Sequence, residues 1–191
     1  MSAFETLKAE FGINWTTILV GWNGAGAFSP WPDRRDDFPP LLSVGELESF
    51  AAERLLLSSD VAEESLIVRL LSLNLRDAPR QAVREVLEGL ANLSSADQTL
   101  ELRKWRLVML EALLGRVDKN LVKGLLTLTE FWQEFGFPQD SPHEVQGRDN
   151  ELTASEYYQD SNLRRILDRH RDWVAMERAA LEKQRSERSA D

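Results

Sequence analysis

Ser95-Ala96-Asp97-Gln98-Thr99-Leu100-Glu101-Leu102-Arg103-Lys104-Trp105-Arg106-Leu107-Val108-Met109-Leu110-Glu111-Ala112-Leu113-Leu114 is the stretch that decides the fold. Ser95 and Gln98 stand at capping-box spacing, in which two side chains satisfy free N–H groups at a helix start. Beyond them Leu102, Trp105, Leu107, Val108, Leu110 and Leu114 fall on more than one side of a helix. A surface helix keeps one apolar stripe, so a helix apolar on several sides belongs in the middle of a bundle.

Neighbouring segments supply the helices such a centre needs. Downstream, Asp118 can cap a helix through Leu121, Leu125, Leu128, Phe131, Trp132 and Phe135, stopped by Gly136 and Pro138. Upstream, Asp77 can cap one carrying Val83, Val86, Leu87 and Leu90, with Pro79 in its first turn. Asp60 and Glu63 open a helix striped by Leu66, Ile67, Leu70 and Leu71, and Ser43 and Glu46 open one through Leu47, Phe50 and Leu55. Ser2 and Glu5 begin the first helix, which Gly12 can end. Asn14 caps a short second one through Trp15, Ile18 and Leu19, although Thr16-Thr17 also permits a strand there.

Two stretches break the pattern. Residues 21–42 mix Gly21, Gly24, Gly26, Pro30, Pro32, Pro39 and Pro40 with Trp22, Phe28, Trp31 and Phe38, which predicts an irregular loop packed on the helices. Residues 137–152 read as a polar loop. Thr153 and Glu156 then start a long final helix whose buried side is Leu163, Ile166, Leu167, Trp173, Val174, Met176 and Leu181. The charged residues after Leu181 offer no apolar face and should fray. The expectation is an all-α, single-domain bundle of seven or eight helices over 1–185, with a tail at 186–191. A short α-solenoid is the other packing these helix pairs allow.

Composition narrows the function classes. The chain has 191 residues, no cysteine and a formal net charge of −9. Absent thiols exclude disulfides, thiolate zinc sites, iron–sulfur clusters and a thiol nucleophile. The acidic balance argues against nucleic acid as partner. No apolar run is long enough to cross a bilayer, and Met1-Ser2-Ala3-Phe4-Glu5 has no secretory-signal character, so a cytoplasmic protein without membrane attachment is expected. Residues 1–65 hold 11 acids against 4 bases, 66–125 hold 7 against 10, and 126–191 hold 14 against 9. Acid at both ends fits either pairing between helices or an acidic surface built from 33–37 and 140–160.

Catalytic motifs do not emerge. The two histidines are His143, in a loop with Asp140 and Glu144, and His170, expected at the surface among Arg169, Arg171 and Asp172. Neither has the Glu-x-x-His spacing of a di-metal bundle site. Gly21-Trp22-Asn23-Gly24-Ala25-Gly26 lacks the lysine and hydroxyl of a phosphate loop. Glu63-Glu64 point apart on a helix, and Asp36-Asp37 can pair with Arg34 and Arg35. No enzyme and no cofactor are expected. Phe131 and Trp132 read as core. Tyr157 and Tyr158 are consecutive and cannot share one buried face, so one of them is a candidate for partner contact.

Four motifs stand together in this chain: Asn14-Trp15, Gly21-Trp22, Lys104-Trp105-Arg106-Leu107 and Glu134-Phe135-Gly136-Phe137-Pro138. On these the chain, over about residues 13–145, resembles a family of small, uncharacterised bacterial α-helical proteins and looks like the all-α immunity proteins of bacterial polymorphic toxin systems. The resemblance implies a protein that binds a toxin domain and blocks it, and it supplies no functional residue to carry over. An acidic face would suit a basic toxin cleft. The candidate contacts, taken from the end-weighted charge and the tyrosine pair, are Asp33, Asp36, Asp37, Asp140, Glu144, Asp149, Glu151, Tyr157, Tyr158 and Asp160. The competing expectation is a helical scaffold or adaptor for a peptide or protein. Oligomeric state is not readable.

Overall fold

A computed structural model describes residues 2–25, 39–94, 96–118, 120–148 and 150–188. Among these the chain is all-helical and no strand occurs. The nine helices are α1 (Ala3–Phe11), α2 (Trp15–Asn23), α3 (Val44–Leu57), α4 (Val61–Ser72), α5 (Arg80–Asn92), α6 (Gln98–Leu114), α7 (Leu121–Glu134), α8 (Ala154–Tyr157) and α9 (Asp160–Arg188). They gather into two compact units, Met1–Trp105 and Arg106–Asp191, whose boundary falls inside α6.

In the N-terminal unit α2 packs on α5, α5 on α4 and α4 on α3. Its core holds Leu7, Ile18, Leu47, Ile67, Leu87, Leu90 and Trp105, all closed to solvent. Thr16-Thr17 is helical rather than extended. Asn14 and Thr17 form a reciprocal capping box, and both threonine hydroxyls find distant partners: Ser94 Oγ for Thr16 and Glu101 Oε2 for Thr17. Gly21 lies within α2, where an added Cβ would stand 2.6 Å from both the Leu42 side chain and the Trp105 ring. This glycine is therefore set by close approach and not by a turn. Of the expected loop at 21–42, residues 26–38 lie outside the described residues.

Several helix starts differ from the sequence reading. Ser43 and Glu46 cap α3 reciprocally as expected. Ser95 lies outside the described residues, and Asp97 Oδ1 accepts from Thr99 N at the head of α6. Asp77 does not cap α5, because it is held in a turn by Asn74 Nδ2, and α5 begins after Pro79 with no side-chain cap. Asn120 caps α7, while Asp118 accepts from the Asn120 N–H one step earlier. Asp60 caps α4 alone, since Glu63 turns inward.

In the C-terminal unit α7 and α8 pack on α9. α7 closes in a Schellman motif, with Gly136 N–H on the Gln133 carbonyl and Phe137 N–H on the Trp132 carbonyl. Thr153 and Glu156 do form a capping box, but it opens only the single turn α8, so the described residues hold nine helices, in keeping with a bundle of about seven or eight whose final helix is divided. Asn162 Nδ2 takes the Tyr157 carbonyl at 2.8 Å, and the long helix starts afresh at Asp160. It runs to Arg188 instead of fraying after Leu181, with a Ser186 hydroxyl bond back to the Glu182 carbonyl. Met176, expected inside, is exposed, and the buried ladder is Leu163, Ile166, His170, Trp173, Glu177 and Leu181.

Candidate functional site

Polar groups converge in the C-terminal unit where the chain leaves α7, crosses residues 137–152 and enters α8 and α9. His170 is the pivot. It was expected at the surface, yet it is 0 % exposed. Its position continues the three- and four-residue steps of the buried ladder, so the helix period overrides its charged neighbours. Trp132 Nε1–H can only donate, and it donates to His170 Nε2 at 2.8 Å. The proton of His170 therefore sits on Nδ1, which donates to the Ile166 carbonyl at 2.7 Å.

His143 has the opposite tautomer. The Thr129 hydroxyl gives its proton to the Leu125 carbonyl at 2.9 Å and so accepts from His143 Nε2–H at 2.8 Å. His143 Nδ1 is left as a buried acceptor without a partner. The two rings lie edge to face with centroids 5.6 Å apart. Burial lowers the His143 pKa to about 4, with the neighbouring His170 contributing. Burial likewise lowers that of His170 to about 4, against the Ile166 carbonyl, which raises it, and with Arg169, which lowers it further. The bare Nδ1 is itself closed to solvent, and His143 lines a cavity of about 310 Å³ with Phe137, Ser141 and Arg148.

Arg106 forms a second node. It makes a bidentate pair with Asp140 at 3.2 and 2.6 Å, and its guanidinium lies 4.9 Å from the centre of the Trp173 ring. Glu177 Oε1 is 3.8 Å away. Asp140 is thus committed to an internal cation, which reduces what it can offer a partner.

The third node faces outward. Glu144 takes a bidentate pair from Arg165 at 3.0 and 2.6 Å and a further ion pair from Arg169. Its backbone carbonyl accepts the Tyr157 hydroxyl at 2.7 Å. Tyr157 is therefore buried, 3 % exposed, while its neighbour Tyr158 is 44 % exposed. Burial raises the Tyr157 pKa and Tyr158 adds to this, with Arg165 opposing. Beside Glu144 opens a cleft of about 630 Å³, also lined by Glu151, Glu156, Asn162 and Arg165. Glu156 is held charged by its bonds to Thr153, which push its pKa down.

Of the candidate contacts, the structure brings Glu144 and Glu151 to this cleft and leaves Tyr158 and Asp160 exposed on the adjoining α8–α9 link. Tyr157 supports the cleft from beneath. Asp33, Asp36, Asp37 and Asp149 lie outside the described residues. Sequence reasoning missed Arg165 and Arg169, although their four-residue spacing puts both on one helix face, and it missed Asn162 and Glu156 as lining groups. Among the described residues no group of three or more His, Asp or Glu is arranged to hold a metal, and no helix is long and apolar enough to cross a membrane.

The family described as "Uncharacterized protein conserved in bacteria (DUF2247)" matches residues 4–178. No curated protein and no solved structure matches the chain.

Proposed function

The chain belongs to this bacterial family, and we propose that it is an immunity protein that binds a toxin domain and blocks it by occlusion. The observation that carries this reading is the cleft at Glu144, Glu151 and Glu156. Three carboxylates line it; Arg165 and Arg169 compensate Glu144, so the negative charge it offers is that of Glu151 and Glu156. Glu144 is fixed by two arginines and a tyrosine-anchored backbone, which presents the acidic wall with little left to order on binding. A basic active-site cleft on a partner is its electrostatic complement, and exposed Tyr158 adds an aromatic contact at the edge. The mechanism is steric and electrostatic: charge accelerates encounter, and the docked surface excludes the toxin's substrate.

The test is affinity capture with the tagged protein from its own bacterium at low and high salt, followed by kinetics on the captured partner. One stoichiometric partner with a basic domain is expected. Glu151→Lys should slow its association about tenfold at low salt, with a smaller effect at high salt. Tyr158→Ala should act mainly on dissociation. Several partners sharing one short peptide motif, or a partner indifferent to both substitutions, would overturn the immunity reading.

A further inference from the structure

The N-terminal unit carries a separate cavity of about 180 Å³ between the start of α2, the α3–α4 corner and the end of α5. Its apolar lining is Ile13, Trp15, Leu90 and Leu93, and its charged lining is Arg54, Asp60 and Glu63. Since a cavity near 150 Å³ accommodates a benzene ring, this one suits a group of about eight heavy atoms and is too small for a nucleotide.

Its charges do not balance. Glu63 is buried and saturated: Oε1 accepts from Trp15 Nε1 at 2.6 Å and from Arg54 Nη2 at 2.7 Å, and Oε2 from Ser58 Oγ at 2.7 Å. Arg54 and Glu63 thus neutralise each other. Asp60 spends one oxygen on the Ala62 N–H at 2.8 Å as the cap of α4, whose N-terminus compensates it in part, and its second oxygen, on an exposed residue, leaves the lining one formal negative charge in excess. A partly apolar lining with one negative charge in excess is the complement of a cation on a short aliphatic stem. The chain runs from Arg54 and Asp60 straight into Leu56, Leu57 and Val61, which are 87 %, 69 % and 79 % exposed. A free small cation would leave these uncovered, whereas apolar residues flanking a basic side chain would cover them.

We propose that this pocket receives an arginine side chain of a polypeptide partner, with its stem along Trp15 and Leu93, its guanidinium on Asp60, and apolar neighbours on the Leu56–Val61 corner. The site is independent of the acidic cleft in the C-terminal unit and stands or falls without a toxin partner.

The test is titration of the whole protein followed by the Trp15 indole N–H resonance, assigned with Trp15→Phe. The probes are acetyl-Leu-Arg-Leu-amide, its citrulline counterpart, butylguanidinium and butyrate. A saturable shift with the arginine peptide is expected, weakened at least about tenfold when citrulline removes the charge. Asp60→Asn should weaken it several-fold while keeping the helix cap, because Asn caps as well as Asp. Binding of citrulline and arginine peptides alike, an unaffected Asp60→Asn, a response to butyrate instead, or no shift at Trp15 would each overturn the site. Butylguanidinium binding as tightly as the peptide would overturn the polypeptide as its source.

Discussion

Each unit satisfies a buried indole N–H with a polar side chain, and the two acceptors use opposite chemistry. In the N-terminal unit the acceptor for Trp15 Nε1–H is the carboxylate of Glu63, a charge kept inside by Arg54 and Ser58. In the C-terminal unit the acceptor for Trp132 Nε1–H is the neutral imidazole of His170. Burial pushes the Glu63 pKa up, but the bonds from Ser58, Arg54 and Trp15 outweigh it and leave the carboxyl below its ordinary 4.5. For His143 and His170 burial prevails, and both sit near 4 instead of 6.5. The same indole donor is thus satisfied by a group that must stay charged in one place and uncharged in the other.

Acid should separate the two nodes, and this is the largest effect expected. Below pH 6.5 the unfolded chain takes up protons on both histidines while the folded chain refuses them until about pH 4. Their stabilisation is therefore whole above 6.5 and lost as the pH falls towards 4, by about 3 kcal/mol for each imidazole. The pair titrates together, so the combined loss is less than twice that. Glu63 contributes above 4.5 and fails only as the pH falls through its lower folded value. Hydrogen exchange at pH 6.5 and 5.0, corrected for intrinsic rate, should show α7 and α9 losing protection while α3 and α4 keep theirs. Equal loss in both units would end the comparison.

Removing the charge at the N-terminal node should cost less. Glu63→Gln keeps an acceptor for Trp15 but gives up the ionic bonds to half-exposed Arg54, worth about 1–2 kcal/mol in urea unfolding at pH 7. The deficit should shrink as the pH falls from 4.5, where the unfolded chain protonates, through the lower folded value, where Glu63 itself loses its charge. A deficit independent of pH would show that packing and not ionisation is what Glu63 supplies. The smallest effect belongs to Asp140→Asn. Arg106 keeps its Trp173 face and Glu177 when the half-exposed Asp140 loses charge, so a change below about 1 kcal/mol is expected by the same measurement. A larger loss would make the 137–152 crossing a structural strut and not a surface loop.

What the sequence revealed divides along the same line of local against distant contact. The boxes at Ser43 and Thr153 join residues three apart and were legible, whereas at Asn14 only the cap was, its partner Thr17 having read as a strand former. Asp118 was misread because Asn120, two residues on, takes the cap in its place, and Asp77 because it pairs with Asn74 in a turn and α5 has no side-chain cap. Glu63 read as the second half of a cap because its true partner, Trp15, is 48 residues away. His170 was misplaced for the reverse reason, its charged neighbours having masked a regular ladder from Leu163 to Leu181. For the cleft, the acidic segment 140–160 was visible as charge. The arginines that fix Glu144 were not, since nothing local couples residue 144 to 165 and 169.

The fixed tautomers restrict which amino acids can stand at the imidazole node. Position 170 needs an acceptor aimed at an indole and a donor aimed at its own helix carbonyl, on opposite sides of one small flat ring. Glutamine has both groups but carries them on the same end, and phenylalanine has the shape without either. Position 143 needs only a donor towards Thr129, and its second nitrogen has no partner to lose. Of two residues that look like a matched pair, one is close to irreplaceable and the other has latitude, so natural variation at this node should be lopsided.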